Sequence, residues 1–126
     1  MARAIVLALV IVTTYAVIAW ADLDLYWVEF ALVVAAIVGI GAFVAHAGVD
    51  RPFLKAAIVA FMTVLSIESL VHIELTTGPA SAQPAVLPPP PTMVLLMFAQ
   101  SLMIAGMAGA VALAIRSLRA RTGRGR

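Results

Sequence analysis

Glu68 and His72 stand four residues apart in a stretch of otherwise mostly apolar residues. On a helix that spacing puts them one turn apart on one face, where a carboxyl and an imidazole can share a proton or a cation. Ser69 borders the same face, and Glu29, Gln100 and the pair Thr13 and Thr14 are further polar groups inside long apolar runs. Three chemistries are open to this set. One is structural, a hydrogen bond between Glu68 and His72 or Gln100 that holds two helices together. Another is a proton or cation site, because acids and histidines inside membrane helices are the usual parts of such relays. The last is a metal site formed by Glu68, His72 and a third donor such as Glu29 or Glu74. One acid and one histidine on one helix are too few ligands to specify a metal.

The elements that must position these groups follow from composition. Of 126 residues, 64% are hydrophobic and 11% charged, against roughly 25% charged in a soluble domain. The apolar content matches four bilayer crossings of about 20 residues each. With no cysteine, disulfides, thiolate metal sites and cysteine nucleophiles are excluded. No phosphate-cradling glycine loop, nucleophile elbow or paired-histidine zinc motif occurs, so no catalytic activity of the chain's own is expected.

Apolar runs predict an all-α polytopic four-helix transmembrane bundle forming one domain over residues 1–126, with helices over 4–20, 27–47, 53–75 and 93–118. Pro52 suits the first turn of the third. The first run also admits a reading as a secretory leader cleaved after Ala19-Trp20-Ala21.

Basic residues are one-sided: Arg3, then Arg51 and Lys55 at the second turn, then Arg116, Arg119, Arg121, Arg124 and Arg126. The turn 21–26 and the connection 76–92 have none. Lys and Arg in short loops stay cytoplasmic, so a multi-pass protein of the cell (cytoplasmic) membrane is expected, with both termini on the cytoplasmic side and two loops outside. Trp20, Tyr26 and Trp27 mark the outer interface. The outer connection carries Pro88-Pro89-Pro90-Pro91, which predicts an extended polyproline spacer. The 116–126 tail is expected to meet anionic lipid; without aromatic residues to stack on bases, it is not expected to bind nucleic acid.

Counted from the outer helix ends at 1.5 Å per residue, Glu68 and Gln100 fall at one level, about 10 to 12 Å deep. Together with His72, Glu29 and Ser69 they predict an outward-facing polar site. No cofactor is expected; His46 and His72 fall ~28 Å apart along the membrane normal, which disfavours a bis-histidine haem within one chain. Small residues at intervals of four, Ala31, Ala35 and Gly39 on helix two and Ser101, Ala105 and Gly109 on helix four, with Gly106 and Ala110 beside them, favour close internal packing over dimerisation.

Small multidrug transporters of this size characteristically have an acid in helix one, absent here. Neither the asparagine and phenylalanine pattern of fluoride channels nor a diagnostic motif of holins or small respiratory subunits is found. The expected role is a small integral subunit of a larger or self-associated membrane assembly, its partners being lipids and other membrane subunits or further copies. A channel or transporter for ions or protons using Glu68 and His72 is the alternative, and a holin-like permeabiliser the third reading.

Overall fold

The computed structural model describes the backbone of residues 1–21, 26–77 and 90–125, and their side chains except at positions 26, 74–77 and 90. The described chain is helical: α1 (Ala2–Trp20), α2 (Tyr26–Ala35), a π-helical turn (Ala36–Ile40), α3 (Gly41–His46), α4 (Pro52–Thr77) and α5 (Pro90–Arg124). With α2, the π turn and α3 forming one continuous rod, four of the described helices are long and apolar enough to cross a membrane.

Two prolines start helices for one reason: the first turn has no partner for the missing N–H. Pro52 opens α4, and Pro90 with Pro91 open α5. Half of the predicted polyproline spacer is therefore helix; Pro88 and Pro89 lie outside the described residues. At its other end α5 runs on to Arg124, past the predicted limit at 118. Arg, Leu and Ala are strong helix formers, so the end of the apolar run does not end the helix.

α4 packs along α5 on one side and α1 on the other, while α3 and the π turn close the bundle between α1 and α5. The core is rich in alanine: Ala4, Ala36, Ala56, Ala60, Ala108 and Ala112 are fully buried, and Ile11, Ile40, Val44 and Val64 fill the space between them. Small side chains let the backbones approach closely. Gly41 is the tightest case against a backbone, facing the Ala108 carbonyl and Val111 of α5.

The inward stripe of the second rod runs through the π turn: Leu32 is partly buried against the core, and Ala36, Ile40 and Val44 are fully buried. Below the turn Gly41, Val44 and Ala45 are buried; none of the described side chains of α2 is. The stripe Ala31, Ala35 and Gly39 lies one position off the inward one and does not form the core: Ala31 and Ala35 are exposed and Gly39 packs only beneath Leu7 of α1. The stripe Ser101, Ala105 and Gly109 is buried as expected, whereas Gly106 is partly buried and Ala110 exposed.

The α3–α4 turn is built from local chemistry. Gly48 takes a left-handed conformation at φ 64 and Arg51 another at φ 49, and the Lys55 ammonium donates to Asp50 Oδ1 at 2.6 Å. That bond and the charge of Lys55 hold the Asp50 carboxyl below its ordinary value of 3.8. Arg116 donates to the Val49 carbonyl at 2.8 Å and ties α5 to the turn. Met1 and Arg3 share a groove with His46 and Ala47 at the same place. Arg3, Arg51, Lys55, Arg116 and the end of α5 thus gather at one end of the bundle. Trp20 and Trp27, 89% and 79% exposed, stand at the other.

Candidate functional site

Contacts between helices set the depth of every polar group. Phe53 lies against Gly109, and the rings of Phe61 and Phe98 are 6.0 Å apart. In this antiparallel pair Gln100 therefore stands level with about Phe61, some seven residues or ~10 Å nearer the basic end than Glu68. The contacts of Leu7 with Gly39 and of Gly41 with Ala108 carry the register across the bundle. They bring Trp20 and Trp27 to about the level of Glu68. The expected common level of Glu68 and Gln100 is not found: α5 starts earlier than its apolar run, and α4 extends beyond it at the tryptophan end.

Glu68 is partly buried at that rim, with His72 one turn farther out on the same face. Among the described residues no hydrogen bond joins Glu68 to His72, Ser69 or Gln100. Ser69 Oγ instead donates to the Leu65 carbonyl at 2.7 Å. Glu29 is partly buried in the first turn of α2, beside Trp27, where a negative charge suits the helix N-terminus. Gln100 is exposed and makes no side-chain hydrogen bond among the described residues. The Glu74 side chain lies outside the described residues, so of the weak metal candidates only Glu68 and His72 are seen. Among the described residues no three acidic or histidine side chains gather as metal ligands. His46 and His72 sit at opposite ends of the bundle, ~30 Å apart along α4 from Pro52. His46 Nδ1 donates to the Ala42 carbonyl at 2.8 Å, which places its proton on that nitrogen and turns Nε2 outward.

A second polar layer, absent from the sequence reading as a group, lies deeper. Tyr15, Thr63 and Ser101 are 5%, 3% and 0% exposed and come from α1, α4 and α5. The same register puts them within about one turn of each other in depth. Thr63 donates to the Val59 carbonyl at 2.7 Å, as Thr14 and Ser66 do to their own carbonyls four residues back. Ser101 does not follow this pattern: its Oγ is buried with no hydrogen-bond partner. A hydrophobic-run reading counts Tyr and Thr as tolerated and so passes over them. The available signal was their fall on the inward stripes of α1 and α4.

The basic helix end has Arg119, Arg121 and Arg124 exposed, while Arg116 is held by Val49; Arg126 lies outside the described residues. Comparison with protein-family models, curated proteins and solved structures finds no match to this chain.

Proposed function

We propose that the chain is a small polytopic protein of the cell membrane that works as an integral subunit of a larger or self-associated assembly, with both termini cytoplasmic. Four helices of sufficient length and apolarity support the membrane assignment. Basic residues at one end and tryptophans at the other support the orientation.

The observation that carries the subunit reading is Gln100. It is the one exposed polar side chain on α5 between Met93 and Ile115, and Leu96, Leu102 and Met103 around it are 54%, 62% and 61% exposed. About 16 residues, ~24 Å, separate it from Arg116, which sets it inside the ~30 Å hydrocarbon layer. An amide there without a partner costs roughly 2 to 7 kcal/mol. A hydrogen bond between helices recovers ~1 to 2 kcal/mol. The carboxamide both donates and accepts, so it suits a second copy's Gln100 or a polar group of another subunit. Glu68, His72 and Glu29 lie nearer the outer rim on α4 and α2, and the exposed arginines of α5 meet the inner headgroups.

The test is extraction from native membranes in mild detergent. The wild-type chain migrates as an assembly with itself or with other chains, and Gln100→Leu shifts it toward the monomer. A wild-type monomer indistinguishable from Gln100→Leu overturns the reading.

A further inference from the structure

A groove runs along the outside of the bundle between α1 and the second rod, and its two ends differ in chemistry. Its body is apolar, lined by Leu7, Ala31, Val34, Ala35 and Val38. Phe43 continues it past Val6 to Arg3, and at the basic end Arg3, Phe43 and His46 form a polar mouth. Leu7 and Phe43 line both of the apolar stretches, and Arg3 and Phe43 line both the second stretch and the mouth, so the three adjoin one another along one side of the bundle. Ala31 and Ala35, exposed beside the core stripe, carry no large side chain to fill it.

We propose that this groove binds one anionic phospholipid of the cytoplasmic leaflet, its phosphate at Arg3 and His46 and an acyl chain along α2. Length supports this occupant. From Phe43 to Ala31 is ~18 Å, close to the ~15 Å that half of a ~30 Å hydrocarbon core gives one leaflet. Charge supports it too. Among the described residues Arg3 has no ion-pair partner, while the acid at that end, Asp50, is already paired with Lys55. His46 turns Nε2 outward at the same mouth. This site is separate from the α5 arginines; it rests on the four helices spanning a bilayer and not on the chain having partner subunits.

The experiment is native mass spectrometry of the purified full chain, delipidated and titrated with dioleoyl phosphatidylglycerol, dioleoyl phosphatidylcholine or inorganic phosphate. One phosphatidylglycerol is retained in preference to phosphatidylcholine, and inorganic phosphate is not retained. Arg3→Ala lowers that retention about fivefold, the effect of ~1 kcal/mol per basic residue at a membrane surface. Ala35→Trp, at an exposed position the fold tolerates, fills the groove and lowers retention of both lipids. Replacing Arg119, Arg121 and Arg124 by Ala leaves the single tight lipid in place. Equal retention of the two lipids, loss only in the α5 variant, retention of phosphate alone, or no effect of Ala35→Trp overturns the proposal. A monomeric wild-type chain that still selects phosphatidylglycerol separates this result from failure of the subunit reading.

Discussion

Gly41 lies directly on the backbone of α5: a Cβ at position 41 would stand 2.8 Å from the Ala108 carbonyl oxygen and 2.8 Å from Val111 Cγ1. A carbonyl oxygen cannot swing aside as a flexible side chain can, so the helices themselves would have to part. This contact anchors the second rod to α5 just below the π turn.

Gly41→Ala is therefore expected to destabilise the bundle by about 1 to 3 kcal/mol, the range for overpacked cores. Gly106 has nothing within 4 Å of its Cβ position, so Gly106→Ala is neutral or stabilises the helix by up to ~1 kcal/mol. Unfolding in detergent, followed by loss of helicity, compares the two. Equal effects would remove the special role of the α3–α5 contact.

Ser101 is a buried hydroxyl without a partner. Ser101→Ala keeps the small volume of the stripe and removes the unsatisfied group, so it is expected to stabilise by ~1 kcal/mol. The same unfolding measurement decides it. A clear loss of stability would mean the hydroxyl is bonded in the working protein.

Asp50 is exposed, and Lys55 lowers its pKa by hydrogen bond and charge. A carboxyl depressed in the fold stabilises at pH values above its unfolded pKa, and the contribution is lost as pH falls through the folded value. Thermal unfolding of the wild type should thus weaken as pH drops below about 4. Asp50→Asn should show a flatter acid limb. Parallel acid limbs would show that the Lys55 pair contributes nothing to the turn.

Much of the architecture is legible in the sequence. Four apolar runs, Pro52 at a helix start and the placement of basic residues lead to four helices with Arg3, Arg51 and Arg116 at one end. The π turn is not legible, because Ala36-Ile37-Val38-Gly39-Ile40 contains nothing that marks a change of period. Ala31, Ala35 and Gly39 lie one position off the buried stripe of Ala36, Ile40 and Val44, about 100° round the helix, and small size alone does not say which of two neighbouring stripes turns inward. The polar site was legible only as residue types. Its depth depends on register, which Phe53 against Gly109 and Phe61 against Phe98 decide, and no count from helix ends supplies it. Gln100 and Ser101 are neighbours in sequence, yet one faces out and the other in. Helical rotation separates them by about 100°, and the inward stripe of α5 is fixed by Ala105, Ala108 and Ala112 rather than by polarity.

The most direct measurement uses the absence of cysteine from the chain. A single cysteine at Met103, on the exposed face of α5 near Gln100, is oxidised in intact membranes beside a control cysteine at Leu9 on the exposed face of α1. Position 103 is expected to give a discrete cross-linked species, to a second copy or to one defined partner, that falls several-fold when Gln100→Leu is added. Position 9 should give none. Equal yields at the two positions, or a position-103 species indifferent to Gln100→Leu, would contradict the subunit reading.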